Sequence, residues 1–254
     1  SRVCDGDALV ATGTRLTPRV LSLLAEVGHD KVLARPRPRV VVLAAAADLV
    51  EPGLPLTRLS QTYDAATVLL AATARGDGGQ VFTAGIADPD PAPLERALSE
   101  QLVRADLVLL LAAATDEVVN LLGRIGAVDV AEVEGLAGRQ LFALVGEERT
   151  PVLVLPPQPV AAYLGYLLFG RPLLQHLAGA DAKPAAETIA PVTTGVEPAA
   201  GTQLLLAKHT SRGVTPLPVP SPGAAELADA NAVMVIPGGV PVAAHGDVTC
   251  WLLD

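Results

Sequence analysis

Aromatic side chains make up only 3% of this 254-residue chain, and that scarcity sets its first limits. Its core must be built from Leu, Val, Ile and Ala, and few rings are left to stack on nucleic-acid bases. Basic residues are also short: 18 Lys and Arg stand against 27 Asp and Glu, a net charge of −9 with no basic cluster to offset it. That balance argues against nucleic acid and anionic membrane as partners. Cysteine occurs twice, as Cys4 and Cys250 at opposite ends, without CxxC or Cys/His spacing. Zinc and a disulfide scaffold are therefore disfavoured, and a reducing, cytoplasmic compartment is the expectation. No apolar run is long enough to insert in a membrane; LVLLLAAA at 107–114 is bounded by Asp106 and Asp116 and reads as a core strand. The start, SRVCDGD, is unlike a signal peptide and lacks an initiator Met, so we expect a processed or trimmed piece of a longer protein.

Catalytic signatures are missing too. GxSxG, HExxH and Walker patterns do not occur. His29, His176, His209 and His245 lie near no other histidine, cysteine or paired carboxylate, so each reads as a surface or capping residue. Ser60, Ser99 and Ser211 have no adjacent base. Gly76, Gly78 and Gly79 follow a helical segment and precede a strand, whereas a phosphate loop follows a strand and opens a helix. They read as a helix stop and turn. A nucleotide-binding oxidoreductase is disfavoured by the absence of GxGxxG after residues 40–43.

What is present has a clear order. Half of the residues are hydrophobic, enough for a sizeable core. Thr17 suits a helix N-cap and Pro18 the first turn; Val20, Leu21, Leu23, Leu24 and Val27 form an apolar face that stops at Gly28. ARPRPR at 34–39 follows as a stiff linker. Residues 39–178 alternate as in a parallel sheet covered by helices: strands at 40–43, 80–84, 106–111 and 152–155, helices at 63–75, 91–103, 117–124 and 159–177, and a hairpin arm at 140–145 with its turn GEER. Pro184 marks a change to short apolar runs (203–207, 214–219, 233–236, 248–253) punctuated by Pro and Gly, with a brief helix at 224–230 and a turn at 237–239. The expected fold is α/β, a mostly parallel sheet flanked by helices, followed by a small C-terminal β-barrel. The expected divisions are 1–37 (remnant of a preceding domain plus linker), 38–180 (α/β domain) and 185–254 (β-rich domain).

Several fragments carry a family resemblance, in order, over nearly the whole chain. These are GTRLTPRVLSLLAEVG (13–28), DLVEPG (48–53), QTYDAAT (61–67), GIADPDPAPLERALSEQL (85–102), ADLVLL (105–110), PVLVLPPQPVAAY (151–163), FGRPLLQHLAG (169–179) and ELADANAVMVIPGG (226–239). Together they resemble the molybdopterin molybdenumtransferase family, which includes the gephyrin E domain. The resemblance implies molybdenum cofactor biosynthesis, by molybdate insertion into adenylylated molybdopterin. It implies molybdopterin or its adenylate as ligand, with Mg2+, and a homodimer when full length. Most of the family's N-terminal domains would be absent.

This chain departs from the family at the site. Where the family reads TGDE it has Ala45, Ala46, Ala47 and Asp48; after Asp64 come Ala65 and Ala66 in place of serine and asparagine. The glycine-rich SGGVSxGDxD loop becomes Leu111, Ala112, Ala113, Ala114, Thr115 and Asp116; KPGKP becomes Leu136, Ala137, Gly138, Arg139 and Gln140; PGNP becomes Pro156, Pro157, Gln158 and Pro159. The resemblance therefore leaves Asp48, Asp64 and Asp116 as catalytic remnants, Arg139 and Gln158 as cofactor contacts, and Asp48 and Asp116 as metal ligands. Hydrophobic strands and helix faces remain while four polar loops have become apolar, which points to a pseudoenzyme with reduced or lost catalysis and possible residual affinity for molybdopterin. A second reading stays open: a gephyrin-like, non-catalytic scaffold that grips a protein partner in an apolar groove between the α/β and β-rich domains, with no cofactor. A different chemistry built on Asp48, Asp64, Asp116, Glu117 and Arg139 is disfavoured, because no base, nucleophile or metal cluster appears in exchange.

Overall fold

The structure, a computed structural model, describes residues 8–131, 135–180, 186–217 and 223–253. Cys4, Pro184 and the end of the 214–219 run lie outside them. Helix α1 (Pro18–Glu26) begins as its sequence dictates, with the Thr17 hydroxyl accepting from the Val20 N–H at 3.4 Å. Its apolar face does not pack as expected. Among its residues Leu24 alone is buried, while Leu21 and Val27 are exposed.

The chain continues through β1 (Arg39–Ala45), the short strands β2 (Leu49–Val50) and β3 (Thr62–Tyr63), α2 (Ala65–Gly76), β4 (Gln80–Ala87), α3 (Pro91–Leu102), β5 (Leu107–Ala112), α4 (Asp116–Ile125), β6 (Gly126–Ala131), β7 (Gln140–Val145), β8 (Thr150–Leu155) and α5 (Pro159–Gly165). One six-stranded sheet has the order β4-β1-β5-β8-β7-β6. Its first four strands are parallel, and β7 and β6 add antiparallel to that edge. The hairpin arm pairs with β8 as the sequence suggested, whereas β6, β2 and β3 were not foreseen. β6 is a GAVDVA segment whose alternation is hidden by its glycine and alanines.

Burial on both faces explains the near-continuous apolar runs of β1 and β5. Val41, Leu43, Ala45, Val108, Leu110 and Ala112 turn to one layer with Leu94 and Leu98 of α3 and Leu121 and Leu122 of α4. Val40, Val42, Ala44, Leu107, Leu109 and Leu111 turn to the other, against Leu70 and Ala74 of α2 and Ala162 of α5. The period of two thus divides each strand between two cores. At the amino edge Arg39 clasps Asp106, with Nη2 at 2.8 Å from Oδ1 and the Arg39 backbone N–H at 2.7 Å from Oδ2.

The expected helix at 159–177 is continuous but not uniformly α. A π turn, Tyr166–Gly170, joins α5 to α6 (Arg171–Leu177), and the Arg171 N–H bonds the Tyr166 carbonyl five residues back. Pro172 follows immediately and has no N–H to extend an α pattern. Gly170 admits the Tyr166 ring, since a Cβ there would lie 2.4 Å from it. The fully buried Tyr166 donates its hydroxyl to Asp77 at 2.8 Å, and Arg171 Nε reaches the same oxygen at 2.9 Å. Burial first, and then the adjacent carboxylate, push the Tyr166 phenol far above its ordinary pKa, so it stays a donor.

The remaining elements are β9 (Glu187–Pro191), β10 (Gln203–Thr210), β11 (Gly213–Pro216), α7 (Ala224–Asp229), β12 (Ala232–Ile236) and β13 (Asp247–Leu252). They form a curled antiparallel sheet of order β11-β10-β12-β13-β9. Its two ends meet at a Val192–Val214 bridge, with the Thr193 N–H donating to the Val214 carbonyl at 2.9 Å. Gly213 makes that approach possible: its φ is +121°, and a Cβ would lie 2.2 Å from the Pro191 carbonyl oxygen. Leu164 of α5 packs with Leu206 and Val233, joining this sheet to the α/β unit.

Candidate functional site

The strand order reverses around β1. From β1 the chain crosses by α2 to β4 on one side, then returns by α3 to β5 on the other. The carboxyl edge between β1 and β5 is therefore the switch point, where open α/β sheets bind ligands. The last ladder partners there are Ala45 and Ala112.

Beyond that pair lies a cup of about 460 Å³ lined by the loops that leave β1, β4, β5 and β8. Ala45, Ala46 and Ala47 form one wall and Ala112 and Ala113 another, while Leu94, Val118, Pro89, Pro91 and Pro157 close the rest. Methyl groups stand where a polyanion-binding site needs donors. The polar lining is limited to Asp90, Thr115 and Glu117. Thr115 is committed locally, since its hydroxyl caps α4 by accepting from the Val118 N–H at 3.4 Å.

The residues singled out from the sequence are not assembled into one centre. Asp48 sits on the exposed turn after β1, where Ser60 Oγ donates to Oδ1 at 2.9 Å and Arg58 Nη2 stands 3.8 Å away. Arg58 also donates to the Ala47 carbonyl at 3.1 Å, so this turn is closed by its own arm. Asp64 is 4% exposed and caps α2, accepting the Thr67 N–H at 2.9 Å. That bond gives the residue a structural role at the start of α2. Asp116, at the start of α4 with its side chain 89% exposed, pairs with Arg139 Nη1 at 3.2 Å. These two are brought together; Glu117 lies beside them on the cup, and Gln158 occupies the N-cap position of α5 without capping through its side chain.

Such a donor set does not fit a divalent cation. Asp48 and Asp116 each stand beside an arginine already, and no group of three or more His, Cys, Asp or Glu able to hold a metal forms among the described residues. Asp90, which lines the cup, stands at the N-cap position of α3 just before Pro91. Its side chain makes no capping bond. The rule that ligands sit at strand exits, applied to β4 as it was to β1, would have found it. Arg58 and Ser60 carry no signal in the sequence, since their roles depend on how the 49–63 arm folds back.

A second cavity, of about 340 Å³, lies between α2, α5 and α7, lined by Leu69, Tyr163, Leu227 and Leu253 among others. No helix among the described residues is long and apolar enough to cross a membrane.

No family model matches the chain. Molybdopterin molybdenumtransferase 1 of Mycobacterium tuberculosis is 30% identical over 266 residues, covering 97% of this chain and 61% of the relative. Molybdopterin molybdenumtransferase 2 of the same organism is 30% identical over 191 residues, covering 70% and 46%. The chain thus spans about six tenths of the first of these curated relatives. Among solved structures, a molybdopterin biosynthesis MoeA protein of Pyrococcus horikoshii superposes with a TM-score of 0.85 at 24% identity, over 97% of this chain and 62% of that one. A molybdenum cofactor biosynthesis protein of Pyrococcus furiosus gives 0.71 at 20% identity, over 97% and 80%. The fold agrees with these structures across both sheets, and the sequence agrees with the first Mycobacterium relative along nearly its full length. On these grounds the chain belongs to the molybdopterin molybdenumtransferase family.

Proposed function

We propose that this chain serves molybdenum cofactor biosynthesis as a pseudoenzyme, a member of its family that no longer inserts molybdenum. One observation carries the reading: the cup at the switch point is walled by Ala45, Ala46, Ala47, Ala112 and Ala113. Metal transfer to adenylylated molybdopterin needs carboxylates for a cation and donors for phosphate. Of the residues assigned to that ligand, only Arg139 and Gln158 carry donors, and neither lines the cup. Residual molybdopterin contact is then confined to the rim. A reducing, cytoplasmic setting and a homodimer when full length belong to the same proposal; Cys250, a buried free thiol whose pKa burial pushes up, supports the first.

The test is complementation. The complete gene encoding this chain is expressed in cells lacking their molybdenumtransferase, protein is verified by blot, and nitrate reductase is assayed. Background activity from a folded, expressed protein is the expected result. Restored activity would overturn the proposal.

The cavity between α2, α5 and α7 favours the second reading, a gephyrin-like scaffold. Its mixed lining, with Leu69, Leu227 and Leu253 beside Thr73 and Tyr163, suits an amphipathic segment of a protein partner. Recovery of the protein alone from native lysate would count against it.

A further inference from the structure

We propose that helix α1 and the stretch that follows it, residues 15–37, form a docking face for an acidic amphipathic segment of a partner protein. The face has an uncovered apolar component. Leu24 is the one buried residue of α1, while Leu21 and Val27 on either side of it are exposed, as are Val32 and Leu33 downstream. Four large apolar side chains left to solvent so close together in the chain are more than the single exposed leucines any surface carries.

Charge names the partner. Residues 15–39 hold six Lys or Arg and two acids, Glu26 and Asp30, in a chain whose net charge is −9. Arg39 is engaged by Asp106, and Arg35 lies against Gly179. Arg15, Arg19, Lys31 and Arg37 are exposed and form no ion pair among the described residues, whereas Arg58, Arg124, Arg139 and Arg171 in the body of the protein each face a carboxylate. Unpaired cations beside uncovered apolar side chains complement a segment that alternates acids with leucine-like residues, laid on the face as an amphipathic helix. Two other occupants fit less well. A second copy offering the same face across a two-fold axis would set cation against cation. An anionic membrane would meet the acidic remainder of the chain.

Two synthetic peptides of about 18 residues, identical in their leucines but carrying Glu or Lys at every polar position, test the face by calorimetric titration into the intact chain at low salt. The Glu peptide should bind about tenfold more tightly than the Lys peptide, against the attraction that a net charge of −9 exerts, and the gap should narrow at about 0.5 M salt. Arg19→Glu with Lys31→Glu should reverse the order, and Leu21→Ser with Leu33→Ser should weaken the Glu peptide about tenfold, with circular dichroism verifying that each pair of exposed changes leaves the fold intact. Tighter binding of the Lys peptide, no binding of the Glu peptide at millimolar concentration, or binding indifferent to both pairs of substitutions overturns the proposal. Sedimentation of an unliganded dimer that the charge reversal dissociates would give the face to a second copy, and pelleting with phosphatidylserine vesicles that the same reversal abolishes would give it to a membrane; either result overturns it too.

Discussion

Replacing Asp77 with alanine should destabilise the α/β unit more than any substitution in the cup. Asp77 follows α2, and a single oxygen of its carboxylate accepts from Tyr166 Oη at 2.8 Å and Arg171 Nε at 2.9 Å. The Arg171 and Asp77 side chains are 9% and 14% exposed, so water replaces the lost carboxylate poorly. Removing the carboxylate takes away two charge-assisted hydrogen bonds and should cost about 3 kcal/mol or more. Tyr166→Phe deletes one neutral donor and should cost about 1–2 kcal/mol. The two changes share a contact, so the double variant should fall short of the sum by about 1 kcal/mol or more. Urea denaturation followed by far-ultraviolet circular dichroism gives these values, and at about 2–4 °C per kcal/mol the same series is visible in thermal scans. A loss under about 0.5 kcal/mol for Asp77→Ala, or strict additivity with Tyr166→Phe, would refute the view that this triad pins the π turn to α2.

Other substitutions test separate parts of the structure. Asp64→Ala should cost about 1 kcal/mol by uncapping α2, and Asp64→Asn should recover most of it; equal losses in urea denaturation would sink the cap assignment. The Asp106 carboxyl is held below its ordinary range, first by its hydrogen bond to Arg39. A group depressed in the folded state stabilises above its unfolded pKa, and that contribution disappears as pH falls below about 4. Asp106→Asn should therefore flatten the acid limb of stability against pH; an unchanged limb would contradict the clasp. Gly213→Ala combines a positive φ with a backbone clash and should cost about 2 kcal/mol or more, read as earlier unfolding of the β-rich unit. Wild-type stability for that variant would mean the sheet closes differently.

Much of the architecture was legible because burial on two faces leaves a strong mark. The runs at 40–43 and 106–111 read as core strands, and Thr17 as a cap and Pro91 at a first helical position located helix starts within a residue. β6 was missed because Gly126, Ala127 and Ala131 give no alternation, and β9 because its outward residues Glu187 and Ile189 mix polar with apolar. At the site, the alanine exits were visible in the sequence and their meeting across one cup was implied by strand order. What the sequence could not reveal were long-range partnerships. Arg58 with Asp48 spans 10 residues of arm, and Arg139 with Asp116 spans 23. Nor could it show that Asp64, a carboxylate beside a family motif, is buried and accepts the Thr67 N–H as the cap of α2.

The position of the Ala45–Ala112 pair bears on how this protein could change. On these two strands one core layer ends at that rung and the other one rung earlier; Ala46, Ala47 and Ala113 lie past both and belong to neither core. Mutations accumulating there would be nearly silent in folding, so a lineage could exchange one set of rim residues for another without passing through an unstable intermediate. The same freedom makes the rim a place to install new chemistry by design, with the sheet beneath serving as an indifferent base.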